Sequence, residues 1–192
     1  MAQFTDLAVS RAKFEQEIDE YRTLENEYRT RGWFLVESNF PRALVLLAAP
    51  HLRPASVVTG VLFDFENYDA RPPSVRLVNA FSGVPYLAKE LPTQLLRAVP
   101  VGSPIPGEPV PLTAQPMMQG APDEIPFLCH PGVREYHDHP AHSGDAWELR
   151  RADGEGRFVR LLDIIWRYGV RPLTYNLSVS MNFAPNFNAI ER

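Results

Sequence analysis

The sequence predicts one α+β domain, in which an N-terminal helix is followed by an antiparallel four-stranded meander, a proline-rich insertion and a C-terminal helix. Three observations predict this architecture: helical spacing of apolar residues near each end of the chain, four short strand-like runs between them, and a cluster of prolines after the fourth run. A chain of 192 residues fits a single domain spanning residues 1–192 and can bury a substantial core.

The first element is an amphipathic helix predicted over residues 10–31. Apolar and aromatic residues recur there at spacings of three and four, while charged residues fill the opposite side. Ser10 is the expected N-cap, and Gly32 is the expected stop. The apolar stripe consists of Phe14, Ile18, Tyr21, Leu24 and Tyr28.

Four strands are predicted next, because short runs rich in β-branched and aromatic residues alternate with turn sequences. Short links between consecutive strands favour an antiparallel meander. The strands are expected at residues 33–37, 43–49, 57–65 and 74–81. The residues expected in the core are Val45, Leu47, Val61, Phe63, Val75, Leu77, Leu162, Ile165 and Trp166.

A proline-rich insertion is predicted at about residues 84–126. Nine of the nineteen prolines lie between residues 92 and 126, so this segment cannot form a central strand and is expected to be an extended surface connection. Residues 93–99 are expected to form a helical turn. The last elements are a helix over residues 157–168, ended by Gly169, and a strand over residues 173–183.

Composition excludes several classes of protein. The chain is 45% hydrophobic and 22% charged, which is typical of a folded domain, and its net charge of -4 argues against nucleic acid as the main partner. No apolar stretch is long enough to cross a bilayer, and the N-terminus lacks the pattern of a secretion signal. We therefore expect a cytoplasmic protein with a reduced cysteine.

The strongest functional signal is a Cys/His-rich loop at residues 129–147. Four of the five histidines and the single cysteine fall between Cys129 and His142, together with two carboxylates. Thiolate, imidazole and carboxylate groups together suit Zn²⁺. His137 and His139 would project to the same side of an extended chain, and a turn at residues 131–132 could bring the cysteine back to them.

Two other interpretations of this loop stay open. The histidines could lie in an exposed turn and hydrogen-bond to the backbone or water. Cys129 could instead be a nucleophile, although the adjacent His130 would point to the opposite side of a strand, so that a more distant histidine would have to activate it. The sequence has no G-x-S-x-G, Walker A or G-x-G-x-x-G motif.

The order of the elements resembles the ubiquitin-conjugating (UBC-like, E2/RWD-related) fold. In that family a tyrosine- and proline-rich element containing P-P-x-V closes the meander, and an H-P-N motif leads towards the catalytic cysteine. The tripeptide at residues 130–132, His-Pro-Gly, is similar to the second motif. The first motif is matched by Tyr68, Pro72, Pro73 and Val75.

The position of the cysteine departs from the E2 pattern. Cys129 precedes the His-Pro pair, and the region where an E2 carries its nucleophile, residues 143–148, contains Ser143 but no cysteine. The resemblance therefore implies an E2-like scaffold that does not form an ordinary thioester.

The chain also resembles the predicted metal-binding CEHH family of bacteria, whose name records a cysteine, a glutamate and two histidines. The resemblance implies a Zn²⁺ site, with His130 and His142 as possible substitute ligands. It also implies partners, since genes of that family lie beside those of ubiquitin-like conjugation systems: a ubiquitin-like protein or E1-like and E2-like enzymes. The ligands it implies are Cys129, Glu135, His137 and His139.

Three functions follow as hypotheses. The first is a noncatalytic, metal-binding E2-like component of such a conjugation system. The second is a metal-dependent hydrolase of the same pathway, in which Glu135 or Asp138 acts as the base. The third is a divergent conjugating enzyme that uses Cys129 or Ser143 as the acceptor.

Overall fold

The computed structural model describes residues 5–102 and 110–174. Two helices, α1 (Leu7–Thr23) and α2 (Glu25–Thr30), precede the strands β1 (Trp33–Asn39), β2 (Arg42–Ala49), β3 (Ser56–Asp64) and β4 (Ser74–Val78). Strands β5 (Leu96–Pro100), β6 (Leu112–Pro116), β7 (Met118–Gln119) and β8 (Phe127–Leu128) follow, and then helices α3 (Arg134–Asp138), α4 (Trp147–Arg151) and α5 (Phe158–Ile165). The predicted α+β class is confirmed, whereas membership of the UBC-like fold stays a prediction.

The predicted N-terminal helix is broken into two pieces. The chain leaves helical geometry at Leu24, where φ is -118° and ψ is 17°, and Gly32 ends the second piece with a φ of +88°. The N-cap is Asp6, whose carboxylate accepts a hydrogen bond from the backbone N–H of Ala8 at 2.8 Å. The expectation that Ser10 is the cap is wrong, because Ser10 lies inside α1 and is fully buried.

The meander has the predicted topology. Strands β1, β2, β3 and β4 neighbour one another in chain order, and every pair is antiparallel. On β2 the residues at alternate positions, from Ala43 to Ala49, are buried, which is the period of two expected for one face of a sheet. Eight of the nine expected core residues are buried; Trp166 is only partly buried.

Helix α5 completes the core against the sheet and α1. The ring of Phe158 lies edge-on to Phe63, with the ring centroids 4.7 Å apart, and tilted against Tyr21 at 5.6 Å. Edge-to-face aromatic contacts of this kind add to the free energy gained by burial alone.

The proline-rich insertion stays outside the four-stranded sheet, as predicted, but it contains a two-stranded ribbon of β5 and β6. The helical turn expected at residues 93–99 is wrong, since residues 96–100 form β5. Hydrogen bonds from Met117 N to Leu95 O (2.9 Å) and from Val101 N to Pro111 O (2.8 Å) fix which positions face the partner strand. Pro100 and Pro116 fall at the alternate positions, where no N–H is needed for the ribbon.

The C-terminal helix ends later than predicted. Beyond α5, residues Trp166–Val170 continue as a π-helical turn that includes Gly169. The glycine is required for close packing: a Cβ there would lie 2.9 Å from Leu95 Cδ1, and its carbonyl accepts a hydrogen bond from Thr93 Oγ1 at 2.7 Å. The strand expected at residues 173–183 lies, except for its first two residues, outside the described residues.

A helix that crosses a bilayer must be both long and apolar. Within residues 5–102 and 110–174, none of the helices combines the length and the apolar composition needed to cross a membrane.

Candidate functional site

Residues 129–147, called the Cys–His segment below, fold as short helical turns and not as an extended loop. Helix α3 is followed by a 3₁₀ turn, Pro140–His142, and then by α4. His137 lies inside α3, whereas His139 follows it with extended backbone angles. The two side chains therefore do not project to the same side of an extended chain, as the spacing of two residues had suggested.

Arg134 fastens this segment to the link between β3 and β4. Its guanidinium donates to the carbonyl oxygens of Asp64 (3.2 Å), Glu66 (2.6 Å) and Pro72 (3.3 Å), and its backbone N–H donates to Pro73 O at 3.0 Å. The residue is only 4% exposed. Because carbonyl oxygens accept hydrogen bonds from Nε and Nη2, the charge is tolerated inside the protein.

Glu135 points towards β4. One carboxylate oxygen lies 3.1 Å from the guanidinium of Arg76 and accepts a short hydrogen bond from Ser74 Oγ, and the other lies 3.4 Å from Val75 N. The carboxylate predicted as a metal ligand is thus paired with a cation and two donors of the sheet.

His137 is held through both ring nitrogens. Nδ1 lies 2.8 Å from the carbonyl oxygen of Asp145, and Nε2 lies 2.6 Å from that of Pro131. Carbonyl oxygens only accept, so a ring nitrogen of His137 bonds to its carbonyl when that nitrogen carries a proton.

His139 and His130 have separate surroundings. His139 Nδ1 accepts a hydrogen bond from Ala141 N at 3.3 Å, and its ring is tilted against Phe127 with centroids 5.1 Å apart. His130 Nδ1 accepts from Gly132 N at 3.0 Å. Burial, followed by the positive charges of Arg160 and Arg97, lowers the pKa of His130 to about 4.

The thiol of Cys129 lies close to His142, a histidine later in the segment. Its Sγ lies 3.7 Å from His142 Nε2, and the His142 ring stacks on Tyr136 with centroids 3.8 Å apart. The Tyr136 hydroxyl donates to Asp145 Oδ2 at 2.9 Å. Burial raises the pKa of Cys129, and the charge of Arg97 opposes that effect.

These contacts do not assemble a metal centre. Among residues 5–102 and 110–174, no group of three or more His, Cys, Asp or Glu side chains could hold a metal ion. As arranged, the donor set does not fit a four-ligand Zn²⁺ site, since Glu135 and His137 are bonded elsewhere. Zinc binding by Cys129, Glu135, His137 and His139, or by His130 and His142 as substitutes, stays a prediction.

The proline motif has a clear structural role. The Tyr68 hydroxyl donates to Glu17 Oε1 at 3.0 Å, Pro72 and Pro73 offer their carbonyl oxygens to Arg134, and Val75 is buried. The motif therefore connects α1, the β3–β4 link and the Cys–His segment.

Two residues that organise this region were missed in the sequence. Arg134 and Glu17 are charged residues that the composition rules place on the surface, yet both are buried. Two signals in the sequence could have identified them. Residues 134–138 can be interpreted as a helix, and Glu17 lies beside the apolar stripe, between Phe14 and Ile18.

The tripeptide at residues 130–132 departs from H-P-N for a steric reason. A Cβ atom on Gly132 would collide with the carbonyl oxygen of Glu155, and it would lie 3.0 Å from the backbone nitrogen of Gly156. The third position of the tripeptide thus accommodates only glycine without movement of the loop before α5.

The fold and the site together define an α+β domain in which a short helical Cys–His segment is fastened across the end of a four-stranded antiparallel sheet. The chain belongs to the Y4jH-like family, described as the Y4jH family, whose sequence model matches residues 5–173. It is 41% identical over 181 residues to the uncharacterized protein y4jH of Sinorhizobium fredii (strain NBRC 101917 / NGR234), covering 88% of this chain and 86% of that protein. The whole Cys–His segment lies inside the region matched by the family model.

Proposed function

We propose that the protein is a noncatalytic, E2-like binding component of a bacterial ubiquitin-like conjugation system and that it acts in the cytoplasm. Its partners are a ubiquitin-like protein or the E1-like and E2-like enzymes of that system. The order of helix, antiparallel meander and proline motif supports the UBC-like part of this proposal. The place of Cys129 before the His-Pro pair supports the absence of ordinary E2 catalysis.

One observation carries the noncatalytic assignment: the polar side chains at the base of the Cys–His segment are bonded to neighbouring parts of the fold. Arg134 binds three backbone carbonyl oxygens, Glu135 binds β4, and His137 binds two carbonyl oxygens within the segment. Such bonds preorganise a surface, which reduces the ordering cost of binding a partner.

The thiol is also poorly suited to ordinary catalysis. Burial raises the pKa of Cys129, so the unreactive thiol form is favoured over the thiolate. A reactive cysteine needs the opposite shift, which an adjacent cation or a helix N-terminus provides.

A binding experiment tests the proposal directly. Isothermal titration calorimetry would measure affinity for a purified ubiquitin-like protein and for purified E1-like and E2-like enzymes from the source organism. We expect one of the three to bind, with Cys129→Ala within twofold of wild type. Arg134→Ala, which releases the segment, should weaken binding at least tenfold, whereas Arg167→Ala at an exposed ion pair should not. Failure of all three to bind, or loss of binding in Cys129→Ala, would overturn the proposal.

Zinc is a separate part of the hypothesis and needs its own measurement. Metal analysis of the purified protein, together with Cys129→Ala, decides it. Stoichiometric zinc that the substitution removes would mean that the segment rearranges and that Glu135 and His137 exchange their present partners for the metal. A metal-free protein whose thermal stability does not respond to added Zn²⁺ would refute zinc binding.

A second candidate, a divergent conjugating enzyme with Cys129 as acceptor, is favoured by the 3.7 Å separation of Cys129 Sγ and His142 Nε2. His142 would take the thiol proton, and the sulfur would attack the thioester of a charged ubiquitin-like protein, forming a new thioester and releasing the donor thiol. Incubation with that charged protein tests it. An adduct cleaved by thiols, absent in Cys129→Ala and reduced in His142→Ala but not in His139→Ala, would support it; no adduct would exclude it.

A further inference from the structure

A cavity of about 220 Å³ lies between α1, the β3–β4 link and helix α4. It is called the Asp69 cavity below, and its wall includes Lys13, Asp69, Trp147 and Arg151. Neither Cys129 nor any histidine of the Cys–His segment lines it, so this space is separate from the thiol and the imidazoles described above. A volume below the roughly 300 Å³ of pockets for drug-sized molecules suits a smaller metabolite.

The inner wall of the Asp69 cavity is fixed by its own contacts. Trp147 is only 7% exposed, and its indole N–H donates to the carbonyl oxygen of Asp69 at 3.0 Å. Gly156 allows the indole to approach, because a Cβ there would lie 2.7 Å from Trp147 Cη2. Arg157 and Glu17, which also line the cavity, are paired with each other at 3.3 Å. The cavity is therefore preformed, as small-molecule sites usually are.

Three charged groups at the cavity lack such partners. The carboxylate of Asp69 is half-buried, yet it accepts no hydrogen bond from the residues that the structure describes. The side chains of Lys13 and Arg151 form neither a hydrogen bond nor an ion pair with any described residue. Because a carboxylate held away from water normally has a partner, an unpaired one in a cavity marks a position where a ligand can bind.

The two cations act on Asp69 without touching it. Burial raises the pKa of Asp69, and the positive charges of Arg151 and Lys13 oppose that rise. Neither cation comes close enough to form an ion pair with the carboxylate within the described part of the chain. One negative and two positive groups thus line the same cavity. A ligand that carries both charges can contact all three groups, whereas a simple anion would also meet the negative charge of Asp69.

We propose that the Asp69 cavity binds a free α-amino acid. The ammonium group of the ligand donates hydrogen bonds to the carboxylate of Asp69, and the ligand's own carboxylate accepts hydrogen bonds from Lys13 and Arg151. The ring of Trp147 forms an apolar wall for the side chain of the ligand. This inference is independent of the proposed function, because none of these residues carries that proposal.

Isothermal titration calorimetry of the full chain with each of the standard α-amino acids tests the proposal. We expect at least one of them to bind with a Kd below about 1 mM and to raise the melting temperature. The same molecule without its amino group, and the same molecule without its carboxylate, should each bind about tenfold more weakly. Neither heat nor a shift in melting temperature for any amino acid at about 10 mM would overturn the proposal. Equal affinity for the deaminated compound would identify a site for simple anions, and equal affinity for the decarboxylated amine a site for simple amines; either result would refute it.

Substitutions distinguish the two ends of the ligand. Asp69→Asn should weaken binding of the amino acid about tenfold and remove its advantage over the deaminated compound. Arg151→Gln and Lys13→Gln should remove its advantage over the decarboxylated amine, and they alter only exposed side chains, so they keep the test valid if Asp69→Asn does not fold. Lys89→Gln, at an exposed ion pair with Asp123 outside the cavity, is the control and should bind as wild type does. Unchanged affinity in Asp69→Asn or in Arg151→Gln would contradict the proposal.

Discussion

The backbone N–H of Phe158 donates a hydrogen bond to Glu17 Oε2 across 2.9 Å, although the two residues are 141 positions apart. Phe158 is the first residue of α5, so a carboxylate from α1 satisfies an N–H that a helix leaves without an internal partner. Arg157 Nε and the Tyr68 hydroxyl bind the other oxygen, at 3.3 Å and 3.0 Å. The carboxylate thus joins α1, the proline motif and α5.

The pH dependence of stability should reveal Glu17. Burial outweighs its hydrogen bonds and raises its pKa, so above the ordinary glutamate pKa of about 4.3 the folded state retains a proton that the unfolded chain has lost. The free energy of unfolding should therefore fall as pH rises through this window. Glu17→Gln should lack this decline. Urea unfolding of both proteins between pH 4 and pH 7 measures the difference, and parallel profiles would contradict the prediction.

His130 should give the free energy of unfolding the opposite dependence on pH. Burial, followed by the positive charges of Arg160 and Arg97, lowers its pKa to about 4 from an ordinary 6.5. Between these values the unfolded chain binds a proton that the folded state does not, so stability is lost as pH falls from 6.5 to about 4. The loss should reach about 3 kcal/mol. Glu17 and His130 can be separated because His130→Gln should remove only this slope.

Arg134 should be sensitive to conservative replacement. Lysine keeps the charge but lacks the planar fork that reaches three carbonyl oxygens at once, so Arg134→Lys should cost about 3 kcal/mol in the free energy of unfolding. Arg167→Lys, at an exposed ion pair with Asp163, is the matched control and should leave the free energy of unfolding unchanged. Equal midpoints of urea denaturation for the two variants would show that the carbonyl contacts of Arg134 do not stabilise the fold.

Introducing asparagine at the third position of the His-Pro-Gly tripeptide should destabilise the protein. Gly132→Asn places a side chain against the carbonyl of Glu155 and should cost at least about 3 kcal/mol. If that variant does not fold, Gly132→Ala introduces the same Cβ with a smaller side chain. Gly144→Asn is the control, because a Cβ at Gly144 meets nothing within 4 Å. Thermal melting compares them, and a stable Gly132→Asn variant would refute the steric argument.

The sheet was predictable because the sequence patterns that determine it are local. Alternation along β2 and short links between the strands determine which residues are buried, and the structure agrees. The ribbon was missed because proline content indicates only where a strand is disfavoured. It does not show that Pro100 and Pro116 fall at positions that need no N–H.

The site was predicted less well because its contacts are not local. The density of histidines identified the segment, but the partners of Glu135 lie 59 to 61 residues earlier, on β4. Likewise, the guanidinium of Arg134 finds its acceptors 62 to 70 residues away, at the end of β3 and in the β3–β4 link. Spacing along the chain cannot reveal partners that are this distant in sequence. For this reason the sequence favoured a metal as the partner of Glu135 and His137, which are hydrogen-bonded to other protein groups in the structure.

The contact between Glu17 and Phe158 also sets an order of events during synthesis. During translation α1 is made before the sheet and α5. The carboxylate of Glu17 therefore lacks its partners at the start of α5 while the sheet forms. Phe158 emerges 141 residues after Glu17 and supplies a missing donor together with Arg157. The contacts of α1 therefore cannot be complete until α5 has been synthesised.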